Sequence, residues 1–435
     1  MTEQEIIAKA KELFKINDTG IFIKPGSNQY PHQWNWDVGF NAIGLSYFDL
    51  DRAKLEVRSF LLGQWKTGKI PHILYHHGAS DYFPTPDFWQ TGDLDESPEF
   101  VTSGITQLPI LATGVKMMLR GKYQDKETLA FIKEVFPKIL AWHKWWYKAR
   151  DPQDNGLVSI IHPWESTDNS PSWDIALENI HLDFVPEYTR KDKAHVNEEE
   201  RPVEDHYKKY MYLINFYRNL KWDDESIIKE TPFLVQCTLV NVLLHQANKD
   251  LIFLGELIGA DVQEIKEWVP KGANAMERLW DKEDGLYYNF DVRTNKPIKE
   301  NTWAGLSPLF AGIPTQERAD FMVKSQLLNP KKYAPSLDSD YYLPCVSKDN
   351  PKYEPVRYWR GPVWMSANWL LMLGLRNYGY NDLADKIKED SLLLVKKSGF
   401  VEYFDPRDGS PKGAGGFSWT AAIAVDLILE NRDLS

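Results

Sequence analysis

Four stretches of the chain set acidic and amide side chains among flat aromatic rings. The first is Tyr30-Pro-His-Gln-Trp-Asn-Trp-Asp37, and the second is Asp81-Tyr-Phe-Pro-Thr-Pro-Asp-Phe-Trp89, with Gln107 placed at the start of the helix expected after it. The third is His162-Pro-Trp-Glu-Ser-Thr-Asp-Asn-Ser-Pro-Ser-Trp-Asp174. The fourth is Tyr358-Trp-Arg-Gly-Pro-Val-Trp364, continued by Glu402-Tyr-Phe-Asp405 and Gly415-Gly-Phe-Ser-Trp419. Indole and phenol rings combine a broad apolar face with a polar edge. Beside carboxylates and amides they suit a sugar, whose ring faces are apolar and whose rim carries hydroxyls. A capped loop with a packed Trp explains any one stretch as well; four of them, in a chain with 17 Trp, point to a sugar-sized cavity.

The third stretch is the most specific. The apolar run Val158–Ile161 leads into it, and Asp168 stands between Trp164 and Trp173 among small polar residues. Rings around a carboxyl desolvate it and favour the protonated form. That form is what a general acid needs near neutral pH. The structural alternative is a helix cap: Asp168 or Ser170 would precede a helix over 172–180, with Pro171 in its first turn.

These residues must be held by helices. Apolar spacing at 3–16 puts Ile6, Ile7, Ala10, Leu13 and Phe14 on one stripe. Further helices are expected near 38–48, 51–66, 103–122, 126–149, 206–220, 231–248, 261–280, 315–327, 363–377, 381–397 and 418–431. Three turns share an Asp-and-Gly pattern: Asp151–Gly156, Asp281–Gly285 and Asp405–Gly409. They lack the spacing of a calcium loop. About a dozen helices joined by such turns fit six helical hairpins in a ring: an all-α (α/α)6 toroid with short β-hairpins in its loops. Its inner helices and their connecting loops would line a central cavity. The most polar stretch, 190–205, reads as a solvated loop or a lid.

Composition narrows the function classes. The chain has 435 residues, 43% apolar, with a net charge of −11. An acidic balance disfavours a nucleic-acid partner. Two cysteines, Cys237 and Cys345, make neither a disulfide framework nor a zinc cluster. The N-terminus is an amphipathic helix rather than a signal peptide, and no apolar run is long enough to span a membrane. The expected location is the cytoplasm. No linker interrupts the chain, so residues 1–435 read as one catalytic domain.

Trp-Glu-Ser-x-Asp-Asn-Ser-Pro, Tyr-Trp-Arg-Gly-Pro-Val-Trp and Glu-Tyr-Phe-Asp resemble the signatures of glycoside hydrolase family 63. More narrowly, the chain is similar to its bacterial mannosylglycerate and glucosylglycerate hydrolases, from about Tyr30 to Trp419. The resemblance implies inverting hydrolysis of 2-O-α-mannosyl- or 2-O-α-glucosyl-D-glycerate to hexose and glycerate. Asp168 matches the family's general acid and Glu402 its general base. Without that match Glu402 reads equally as an exposed carboxylate at a strand end. Inversion places the two carboxyls roughly 6.5–9.5 Å apart, with a water between sugar and base.

The resemblance carries other positions. Tyr30, Trp34, Asp37 and Gln107 match residues holding the sugar, and Tyr358, Trp359, Gly361 and Trp364 match the wall of that subsite. Tyr82 is expected to approach substrate from a mobile loop. Arg201 and Tyr207, six positions apart, match a pair that holds the glycerate carboxylate and so touches only the leaving group. The local alternative pairs Arg201 with Glu198–Glu200 or Glu204. No cofactor or metal is implied. The expected partner is a small glycoside, with no nucleic acid and no membrane; a homo-oligomer is compatible. Segments near 70–90 and 190–210 would act as lids. Two other activities suit the same barrel: a trehalase-like or oligosaccharide α-glucosidase, and a sugar 2-epimerase, which would rely on histidine. The only paired histidines are His76-His77.

Overall fold

The computed structural model describes residues 1–26, 29–76, 82–193, 196–337 and 339–430. Thirteen of the sixteen α-helices among them build the architecture: α1 Glu3–Asn17, α2 Asn35–Ser46, α3 Leu50–Phe60, α4 Leu111–Met118, α5 Lys126–Arg150, α6 Glu204–Asn219 and α7 Thr238–Leu257, then α8 Gln263–Ala275, α9 Pro308–Ala311, α10 Gln316–Met322, α11 Met365–Asn377, α12 Asn381–Ser398 and α13 Ser418–Leu429. Inner and outer helices alternate along the chain, and α6 stands apart between α5 and α7. The inner six close a ring by contact: α2 on α4, α4 on α7, α7 on α9, α9 on α11, α11 on α13, and α13 back on α2. This is the (α/α)6 toroid.

Sequence explains the two layers. Outer helix α1 buries Ile6, Ala10 and Phe14 on one stripe, and Thr2 and Glu5 close a reciprocal capping box at its start. Inner helices are buried nearly all round: every residue from Asn35 to Leu45 in α2, and from Ser418 to Ile428 in α13. Glycines let this inner ring draw tight. A Cβ at Gly114 would lie 2.9 Å from the Gly39 Cα, one at Gly44 2.5 Å from the Ala422 Cα, and one at Gly374 2.7 Å from the Phe310 nitrogen.

Short strands tie the loops at the N-terminal ends of the inner helices. Strand β1 (Gln33–Trp34) pairs antiparallel with β2 (Ile73–Leu74). Strands β3 (Ser159–Ile160), β4 (Val235–Gln236), β5 (Asn289–Asp291) and β6 (Lys296–Ile298) form one small sheet in that order. The hairpin of β7 (Val401–Phe404) and β8 (Pro411–Gly415) is fastened through Phe404 to Val363.

Two helix expectations are corrected and one inner helix is added. Residues 103–110 are irregular, because Pro109 lacks the amide a helix there would use and the preceding residues bond to the 70–73 segment instead, as in Thr106 Oγ1 to the Ile70 carbonyl. Residues 231–237 form a turn and strand β4, and α7 runs on to Leu257. Inner helix α9, preceded by a 3₁₀ turn at Trp303–Leu306, was not expected at all. The three Asp-Gly turns are present, with Gly156, Gly285 and Gly409 all at positive φ.

Candidate active site

A cavity of about 870 Å³, counting its mouth, opens where the inner helices begin. Several of its walls belong to segments that a helix start fixes. Trp34, Trp36 and Asp37 stand at the beginning of α2, and Phe417 and Trp419 at the beginning of α13. Trp359 lies on the turn leading into α11. Of the expected site residues, Tyr30, Trp34, Asp37, Tyr82, Gln107, Asp168, Arg201, Tyr207, Tyr358, Trp359 and Glu402 all line this one space.

Gly361 and Trp364 do not. A Cβ at Gly361 would meet the Glu354 carbonyl oxygen at 2.4 Å, so its part is to let two backbone segments touch. Trp364 stacks behind Trp359 at 3.8 Å between ring centres and 3° between planes, stiffening the wall from outside. Gln107 precedes α4 rather than starting it, and its Oε1 accepts from the Trp36 backbone N–H at 2.9 Å, which closes the first turn of α2. Asp81 and His77 lie outside the described residues.

Asp168 follows a 3₁₀ turn at Pro163–Glu165. It does not cap a helix. Ser170 takes that part, accepting from Ser172 N–H, while Asp168 Oδ2 accepts from the Trp164 indole N–H at 3.1 Å. Its Oδ1 is buried without a hydrogen-bond partner. Burial, and then the Asp192 carboxylate, push the Asp168 pKa up to about 7, against the pull of Tyr210, Trp164 and Arg201. The next residue, Asn169, adopts a positive φ of 64° and its side-chain amide meets His206 Nδ1 at 3.2 Å.

Glu402 lies on β7, only 1% exposed, in a contrasting setting. Its Oε1 accepts from the Tyr30 hydroxyl at 2.7 Å. Its Oε2 accepts from Arg201 Nη2 at 2.8 Å and from the Ala414 N–H at 2.9 Å. Gly413 makes this hairpin possible. It sits at a φ of +66°, and a Cβ there would come within 2.5 Å of Glu402 Oε2.

Arg201 is therefore not a surface partner of Glu198–Glu200 or Glu204. Its guanidinium binds Glu402 and, through Nη1, the Tyr30 hydroxyl at 3.0 Å, and lies over the Tyr358 ring at 4.8 Å. Its Nε is buried without a partner. Asp37 is a third carboxyl of the cavity. Burial and the nearby Glu402 charge hold its pKa well above the usual carboxylate range, and its Oδ1 is unpartnered.

Among the lining residues that escaped the sequence reading are His72 and Asp192. His72 stacks against Trp164, has a buried, unpartnered Nδ1, and is held neutral by burial, its pKa lowered to about 3. It sits in Lys69-Ile-Pro-His72, with no aromatic–acidic flank to mark it. Asp192 belongs to the polar stretch read as a loop or lid. Arg190 grips both of its carboxylate oxygens, and the Gln29 side chain donates to its backbone carbonyl at 3.0 Å.

The model of the mannosylglycerate hydrolase MGH1-like glycoside hydrolase domain matches residues 30–420. The chain belongs to this family. It is 41% identical to a mannosylglycerate hydrolase from Thermus thermophilus over 419 residues, 96% of this chain and 99% of the relative. It is 32% identical to a glucosylglycerate hydrolase from Mycolicibacterium hassiacum, covering 98% of each. A crystal structure of the family 63 mannosylglycerate hydrolase from Thermus thermophilus, in complex with Tris and D-glycerate, superposes with a TM-score of 0.91 at 41% identity, covering 97% of this chain and 99% of that one. The protein is thus a glycoside hydrolase, and the family 63 resemblance of its motifs holds along the chain. Among the described residues no helix is long and apolar enough to cross a membrane.

Proposed function

We propose that the protein hydrolyses an α-glycoside of D-glycerate with inversion, Asp168 serving as general acid and Glu402 as general base. Asp168 gives its proton to the glycosidic oxygen as the bond to the anomeric carbon breaks. Glu402 takes a proton from the water that attacks that carbon on the opposite face. The products are the β-anomer of the hexose and free glycerate. The observation that carries this reading is the contrast between two carboxyls on one cavity: Asp168 is desolvated beside Asp192 and stays protonated to about pH 7, whereas Glu402 faces the Arg201 cation and two further donors. An inverting site needs this division of labour.

The likeness to mannosylglycerate and glucosylglycerate hydrolases supports these two conjugates as the substrates. The unpartnered Nε of Arg201 and the nearby Tyr207 support an anionic leaving group, since a guanidinium suits a carboxylate. Asp37, with an unpartnered oxygen, serves a sugar hydroxyl. Tyr82, Phe83, Asp192 and Tyr207 line the cavity from the 70–90 and 190–210 segments, which supports a lid role for these segments. The buried free thiols of Cys237 and Cys345 suit the cytoplasm. Release of hexose from both glycerate conjugates tests the reading. Asp168→Asn and Glu402→Gln should each lower kcat by about 10²–10⁴-fold with folding intact; full activity in either removes that residue from its role.

A further inference from the structure

A second hydroxyl stands behind the acid. Tyr210, on α6, is fully buried, and its ring packs at 5.4 Å from His162 and 5.8 Å from Trp164, the residue that donates to Asp168 Oδ2. It does not line the cavity. Its hydroxyl is buried and closes no full hydrogen bond, and the same holds for Asp168 Oδ1 beside it. A donor and an acceptor, each otherwise unpartnered, thus lie close enough to interact. The Asn169 backbone N–H also faces the hydroxyl oxygen, which leaves the O–H free to turn toward Asp168.

Resting on Asp168 as the general acid, we propose that Tyr210 is a positioning residue that donates to the Asp168 carboxylate as its proton departs for the leaving oxygen. A protonated acid asks little of this hydroxyl, because it is neutral and already holds a hydrogen. Once ionised, it gains a charge that burial would otherwise leave exposed to Asp192. Trp164 then serves one carboxylate oxygen and Tyr210 the other. Hydrogen bonds to ions are stronger than those to neutral groups. The contact therefore tightens along the reaction and favours the transition state over the bound substrate.

Other groups face the same carboxyl. Asp192 disfavours its ionisation and Arg201 favours it. Tyr82 and Tyr358 approach from their loops, Tyr207 shares α6 with Tyr210, and Arg360 acts on Tyr210 itself. Removing one hydroxyl leaves all of these in place.

The test is Tyr210→Phe. The alkaline limb of kcat/KM, set by Asp168, should rise by about half to one pH unit, with the acidic limb unmoved. Turnover of the glycerate conjugate should fall roughly tenfold, and that of an aryl glycoside with a good leaving group, which needs little protonation, should fall far less. Carbon-13 NMR titration of the Asp168 carboxyl in substrate-free protein should show the same upward shift. A fluorotyrosine at 210, which keeps the ring and sharpens the donor, should shift it downward. A titration unmoved in both variants, or equal losses on both substrates, overturns the role of Tyr210. Full turnover by Asp168→Asn overturns instead the acid assignment beneath it, and the titration distinguishes the two failures because it is read without catalysis.

Discussion

At Asp168, burial and the Asp192 charge keep the carboxyl neutral; at Glu402, three donors meet a carboxylate. Activity should therefore decline as pH rises through about 7, where Asp168 loses its proton. Stability follows with a definite sign. Between the ordinary aspartate value and about 7 the folded chain keeps a proton that the unfolded chain has released, so this group makes stability fall as pH rises through that window. Asp168→Asn should remove that penalty: its Tm at pH 8 should match or exceed that of the native chain, with a smaller advantage at pH 4, by calorimetry. A Tm clearly below native at pH 8 would contradict the desolvated acid. At Arg201, contact with Glu402 and Tyr30 sets the expected outcome of Arg201→Ala. kcat should fall for aryl glycosides and glycerate conjugates alike, and KM should rise further for the conjugates alone. Steady-state kinetics on both substrates separates the two effects.

Glycines govern the elements that carry these groups. Gly413→Ala would force a side chain into a positive φ and against Glu402 Oε2. It should reduce kcat by tenfold or more, read against an unchanged KM. Gly44→Ala instead pushes α2 from α13, where a Cβ meets the Ala422 Cα at 2.5 Å. Overpacking of this kind costs about 1–3 kcal/mol, measurable as a lower midpoint in urea. The sequence displays these elements unevenly. Outer helices such as α1 carry a one-sided apolar stripe and are legible. The inner helix α9 is only Pro308–Ala311, too short for a period to show, and its neighbour turn ends at a Ser-Pro step. Residues 103–110 look periodic yet serve as a loop, because Pro109 and pairing with 70–73 override the pattern.

Across the whole molecule, the toroid gathers onto one cavity residues as distant as Tyr30 and Glu402, which are 372 positions apart. The four aromatic–acidic stretches, together with the family resemblance they carry, made eleven of the thirteen expected site residues legible as neighbours of one space; Arg201 and Tyr207 came from the resemblance alone. The Arg201–Glu402 pair was not legible, because it joins residues 201 positions apart that share no local pattern. His72 and Asp192 were missed because one lies in an unremarkable turn and the other in a charged stretch. The direction of attack on the anomeric carbon is where fold, cavity and the two carboxyls act together. Time-resolved proton NMR of hexose released from the glycerate conjugate reads it directly. The β-anomer should appear first and then mutarotate toward equilibrium. First appearance of the α-anomer would mean retention, and would leave a pair made of one acid and one water-activating base without its reaction.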